Sequence, residues 1–223
     1  MKKYEFVFLA ISLLFIFPGT VSAQSRYLED GIGGPGFEFS MGMVDYNLTT
    51  FEVAAAYSIG GIMDIGFYAN RETGTLYNFD RTDVNVGFLY NLIVVKQTEH
   101  VPFNLQLEGS YGYTNVDSDY LTNTSQEREG QGFTIGVSLY NEISFFSKFG
   151  ILIGGKGLYK NYIFTETIAG SERSEELQYG FISALSLKLD NWPIIALGLE
   201  VLYSIPDPGI SVEPSISIIN QGY

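Results

Sequence analysis

The sequence predicts an all-β fold, an up-and-down antiparallel transmembrane β-barrel of about ten strands. Three observations lead there. Apolar and polar residues alternate one by one in segment after segment. No run after residue 23 has the length and apolarity of a spanning helix, which needs about 20 residues. The connections between segments alternate between long and short. Side chains on a strand point to opposite faces in turn, so such alternation builds one apolar face and one wet face.

Phe103–Tyr113 is the clearest segment. Phe103, Leu105, Leu107, Tyr111 and Tyr113 alternate with Asn104, Gln106, Glu108, Ser110 and Gly112. It has about the 9–11 residues that a tilted strand needs to cross a bilayer. An arginine at Leu107 would therefore face lipid, whereas one at Gln106 would face inward and is expected to be tolerated better.

Taken in order, the chain opens Met1-Lys2-Lys3, runs apolar through Phe6–Phe17, breaks at Pro18-Gly19 and reaches Val21-Ser22-Ala23. A basic start, a short apolar run and a small-x-small ending describe a secretory signal peptide, with cleavage expected after Ala23. Residues 24–35 read as a polar, glycine-rich lead-in, and residues 36–223 as the barrel. The alternation then recurs at Phe37–Met43, Phe51–Ile59, Met63–Ala69 and Val84–Tyr90, and after Tyr113 at Phe133–Leu139 and Ile151–Lys160. Tyr179–Leu189, Ile195–Tyr203 and Ile210–Ile218 complete the set, and Gly60-Gly61 signals a tight hairpin.

Long polar connections are read at Asn70–Arg81, Asn115–Gly130 and Thr165–Glu176, and short ones at Ser58–Gly61, Phe146–Lys148 and Asp190–Pro193. Gln97–Pro102 is of middle length. Long loops on one side and short turns on the other is how membrane barrels are strung. Aromatics sort the same way into two girdles, one at each membrane interface. Phe37, Phe103, Phe149 and Trp192 lie near the short turns. Tyr46, Tyr113, Phe133, Tyr159, Tyr179 and Tyr203 lie near the long connections, with Tyr68 and Tyr162 at the same height.

With these features together, the chain resembles the small outer-membrane β-barrels of Gram-negative-type bacteria, of the OmpA and OmpX kind, extended to about ten strands. The resemblance covers everything after residue 35 and rests on architecture. It implies residence in the bacterial outer membrane after export, termini on the periplasmic side, and contact with outer-membrane lipid, lipopolysaccharide and the barrel-assembly machinery. Such barrels end on an in-register aromatic. Tyr223 is terminal here, but Ile216 and Ile218 fall one position out of phase with it.

The 25 acidic residues against 12 Lys and Arg give a formal net charge of −13, which argues against nucleic acid as a partner. The lack of cysteine removes both a disulfide scaffold and a lipid anchor through that residue. His100, the lone histidine, falls in a periplasmic turn and reads as a solvated side chain. Asp117-Ser118-Asp119 lacks the glycine of a calcium loop. With Glu127, Glu129, Glu166, Glu172, Glu175 and Glu176 it forms an acidic rim suited at most to bridging lipopolysaccharide through divalent ions.

The most informative set is the charges on inward positions: Glu38, Glu52, Asp64, Glu108, Glu142, Glu200 and Glu213, with Lys156, Lys160 and Lys188. Inside a barrel they must pair or line water. Inward glycines such as Gly66, Gly87, Gly112 and Gly180 are expected to free space among them. No catalytic motif and no cofactor or metal site is read. The leading expectation is a structural or surface-interaction barrel acting through long acidic extracellular loops, with the external ligand unknown. The alternative is a narrow, weakly cation-preferring channel, and an outer-membrane enzyme ranks last.

Overall fold

Alternation is a local property, and register is what turns it into a closed surface. The computed structural model describes residues 32–44, 48–76, 79–118, 128–145, 148–166, 170–188, 193–206 and 208–220. The expected signal peptide, Tyr46, Trp192 and Tyr223 lie outside the described residues.

Ten strands follow one another: β1 (Gly34–Val44), β2 (Leu48–Ile59), β3 (Met63–Leu76), β4 (Phe79–Val95) and β5 (Asn104–Ser118), then β6 (Arg128–Phe145), β7 (Phe149–Glu166), β8 (Gly170–Leu187), β9 (Ile194–Ile205) and β10 (Gly209–Ile219). β1 begins inside the segment read as lead-in. Each strand pairs antiparallel with its neighbours in sequence, and β10 pairs with β1 through Phe39↔Ile216 and Phe37↔Ile218, so the sheet closes. Closure leaves no edge running the length of the barrel. The predicted fold class is the one observed.

The outward positions carry Phe39, Phe67, Phe88, Ile135, Leu185 and Val212, all exposed. A continuous apolar belt of this kind has no place on a water-soluble monomer. The Gly60-Gly61 hairpin forms as read. Both φ angles are positive (62° and 67°) and the Ile62 N–H donates to the Ile59 carbonyl at 3.2 Å. Only glycine takes two such residues without strain.

Two of the three long loops are not loops. β3 and β4 stay paired to Leu76↔Phe79, and β7 and β8 to Glu166↔Gly170, so most of Asn70–Arg81 and Thr165–Glu176 is ladder. In the third, pairing continues to Val116↔Arg128. The physical reason is that beyond the membrane both faces of a strand meet water. Both faces turn polar there, alternation vanishes, and the backbone hydrogen bonds continue regardless. β6, β7 and β8 have 18 residues each, whereas β10 and β1 have 11. At about 3.3 Å per residue and a tilt of about 40°, an 18-residue strand rises about 45 Å, well past an apolar core of about 30 Å.

The inward glycines do not simply free space. A Cβ at Gly87 would lie 2.2 Å from the Tyr111 carbonyl oxygen, and one at Gly180 would lie 1.9 Å from that of Val201. They let adjacent strands bend sharply enough to close a narrow barrel.

Candidate functional site in the lumen

The lumen divides into levels, and its lower end is packed. Tyr140 from β6, Leu152 from β7, Ile182 and Ala184 from β8, Ile194 and Ala196 from β9 and Ile219 from β10 form one buried apolar cluster, with Ile32 against it. Facing it, Ser58, Asp64 and Gln106 are fully buried, and the Ser217 hydroxyl donates to Glu38 at 2.8 Å. This lower level is a plug. Gln106 points inward as read, but it is 0% exposed, so an arginine there has nowhere to go and the expected tolerance is withdrawn. Below the plug, Glu142 meets Lys188 at 3.7 Å on the rim. Gln97 closes the unpaired lower edge of β6, its amide donating to the Glu142 carbonyl (2.9 Å) and accepting from the Glu142 N–H (2.8 Å).

Above the plug sits an ion triad. The Lys156 ammonium lies 2.8 Å from Glu108 on one side and 3.0 Å from Glu200 on the other, all three side chains nearly enclosed. The Ser138 hydroxyl donates to the second oxygen of Glu108. Lys156 is on β7, Glu108 on β5 and Glu200 on β9, so the bridge spans the inner wall rather than linking adjacent strands. Each partner keeps the other's burial tolerable, and removing one leaves an uncompensated charge.

The triad is the floor of a cavity of about 340 Å³. Glu52, Glu72, Asp83, Glu108, Glu176, Glu200 and Glu213 line it, against Arg81, Lys156 and Lys160, together with Tyr68, Tyr162, Phe164, Asn85 and Asn91. Arg81 forks onto Asp83. Lys160 stands 4.0 Å from Glu176, its direct cross-strand partner. Glu52 accepts from the Asn70 amide at 3.2 Å.

Thus the inward residues named from sequence fall on three levels. Glu38 and Asp64 lie beside the plug, and Glu142 and Lys188 on the lower rim. Glu52, Glu108, Lys156, Lys160, Glu200 and Glu213 lie around the cavity. Lys160 meets a carboxylate on the adjacent strand, whereas Lys156 and Lys188 each reach past a neighbouring strand to theirs.

Of the girdle residues, Phe37, Phe103, Phe149, Tyr113, Phe133, Tyr179 and Tyr203 are exposed on the outer face. Tyr179 and Tyr203 pack edge to face at 5.6 Å, and Tyr159 lies 6.2 Å from Phe133. Tyr68 and Tyr162 instead turn into the lumen. Tyr68 lies over Gly87 and Gly112, where a Cβ would collide with its ring and hydroxyl, so the glycines make room for an aromatic lid on the wall. His100 is exposed at the lower end.

Sequence reasoning missed Glu72, Arg81, Asp83 and Phe164, which fell in segments read as loop or beyond the ends of the strands read, and it placed Glu176 on the loop rim rather than in the lumen. A signal existed: Glu72 keeps the spacing of two set by Tyr68 and Asn70, and Asp83 keeps that of Asn85 and Gly87. The rim acids also differ from the reading. Arg128 reaches Glu166 and Glu172, each at 3.1 Å, and stacks 4.5 Å from the Phe164 ring centroid. Arg173 pairs with Glu175 at 2.8 Å. These carboxylates are bridged by arginine, and among the described residues no cluster of acids could hold a metal ion.

No protein-family model matches the sequence, and no curated protein matches it either. Solved structures do. The β domain of the Bordetella autotransporter BrkA is 7% identical, with 84% of this chain and 99% of that one covered at a TM-score of 0.47. The translocator domain of the autotransporter NalP from Neisseria meningitidis is 10% identical, with 86% and 89% covered at 0.45. Ail, the attachment invasion locus protein of Yersinia pestis, is 11% identical, with 87% and 100% covered at 0.37. The likeness is one of architecture. This chain shares with them a closed antiparallel β-barrel.

Chemically, the arrangement is a blind cup: closed below by apolar packing, floored by the Lys156 triad, and acidic above.

Proposed function

We propose that the protein is an integral barrel of the bacterial outer membrane that conducts no solute and meets its ligands at the extracellular face, where the extended hairpins of β3–β8 stand clear of the lipid. The observation that carries this reading is the packed lower lumen. A path for solute would have to cross the Tyr140–Ile194–Ile219 cluster and then the Lys156 triad. Ten strands place the barrel near the size that side chains can fill, far from the roughly sixteen of an open porin. The apolar outer belt supports residence in lipid, with lipopolysaccharide as the lateral neighbour of the Arg128- and Arg173-bearing hairpins. The reading is non-enzymatic: the lumen offers charge and shape, and His100 lies at the opposite end from the cup.

Two measurements test it. The refolded protein is expected to need detergent and to change gel mobility on boiling, and to stay silent in a planar bilayer. Regular conductance steps, or passage of sugars in liposome swelling, would replace this reading with the channel.

A further inference from the structure

We propose that the cup is a binding site for a linear organic polycation, a polyamine, entering from the hairpin end. The proposal deepens the reading of a blind, outward-facing barrel and rests on it.

The first observation is an imbalance built into the ladder. Glu72 on β3 stands directly opposite Asp83 on β4, and Glu213 on β10 directly opposite Glu200 on β9. Like charges facing each other across strands are destabilising. In each pair one member has a cation of its own, Arg81 for Asp83 and Lys156 for Glu200. Glu72 and Glu213 have neither an ion pair nor a hydrogen bond among the described residues and share the field of Lys160 only at longer range, yet both line the cavity. A protein that gained nothing from these charges would do better without them.

The second observation is independent of charge. Thr50, Asn91 and Thr114 line the same cavity, each is 6% exposed, and none has a hydrogen-bond partner among the described residues. Buried amides and hydroxyls are almost always satisfied. The polar groups of these three open onto the cavity, within reach of a ligand that donates to them.

The shape of the ligand follows from the spacing. Glu213, Gly42, Thr50 and Glu72 follow one another along a cross-strand row on β10, β1, β2 and β3. The two unpaired carboxylates are therefore three strand spacings apart, about 14 Å along the wall. A single metal ion needs its ligands within about 2.6 Å, and the acids here do not converge. A chain of methylenes bearing separated ammonium groups matches the span. Its alkyl parts would lie on Tyr68, Tyr162 and Phe164, whose faces also attract cations.

Isothermal titration with spermidine, on the protein refolded in non-ionic detergent at low salt, tests the site. Binding is expected that weakens with added sodium chloride. The double variant Glu72→Gln/Glu213→Gln is expected to lower the affinity about tenfold or more, while Glu172→Gln on the exposed hairpin leaves it unchanged. Both cup substitutions remove repulsion, so folding is not at risk, and the heat-dependent gel shift verifies it. No binding, an equal loss in Glu172→Gln, or displacement by magnesium chloride as effective as by spermidine itself would overturn the proposal. A barrel that conducts and still binds spermidine breaks only the closed-barrel reading, and a silent barrel that binds none breaks only this one.

Discussion

The lower and upper halves of this lumen are built by the same strands with the same alternation, yet one is solid and the other hollow. Below Lys156, inward positions hold Tyr140, Leu152, Ile182 and Ile194, which pack into one buried cluster. Above it they hold Glu52, Glu72, Lys160 and Glu213 around about 340 Å³ of space. The difference teaches that inward-facing is not one environment. Apolar inward groups from neighbouring strands gain by packing together, at roughly 25 cal/mol per Å² buried. Carboxylates in excess repel and stay hydrated, so the wall stays apart where they cluster.

The sharpest break of the comparison is at the floor that separates the halves. Lys156→Met leaves Glu108 and Glu200 facing each other without a cation, and is expected to cost about 3–5 kcal/mol in reversible unfolding. A change within 1 kcal/mol of wild type would mean that the triad does not hold the halves apart. Within the plug, Tyr140→Ala removes the largest fully enclosed side chain, 2% exposed, and should cost about 3–5 kcal/mol. It should also make the barrel leak ions in a planar bilayer where wild type is silent. Unchanged silence together with a small loss of stability would put the seal elsewhere.

Leu107→Arg and Gln106→Arg compare lipid face and plug at one height. Leu107 is 43% exposed on the outer face, and its replacement is expected to cost about 2–4 kcal/mol. Gln106→Arg should cost at least as much, since it forces an unpaired charge into a packed level. A clearly milder effect at 106 would show that the lower lumen is looser than described. The smallest effect belongs to the cup. Glu213→Gln relieves the clash with Glu200 and is expected to raise stability by about 0.2–1 kcal/mol, measured as the midpoint of a urea titration without ligand. A loss of stability would show that the attraction of Lys160 outweighs the repulsion from Glu200.

Most of the fold was legible because alternation with a period of two is written residue by residue. Phe103–Tyr113 reads as a strand with no knowledge of its neighbours, and the Gly60-Gly61 turn follows from the backbone that only glycine tolerates. The site was half legible. Glu200, Glu213, Lys156 and Lys160 show as inward charges on their own strands. That Lys156 bridges Glu108 and Glu200 depends on strand register and on the spatial separation of β5, β7 and β9, which no local pattern encodes. Polar hairpins such as Asn70–Arg81 looked like loops because water on both faces erases alternation, the one signal a strand displays in sequence.

The sequence by itself therefore determined the strand class, the apolar face of each strand and the acidic excess of the other, since these are properties of consecutive side chains. Only the tertiary structure decided where the lumen closes and which carboxylates find a cation in direct contact. Those outcomes depend on which inward residues from distant strands arrive at the same height, and height is fixed by the closure of β10 on β1 and the tilt it imposes on every strand between.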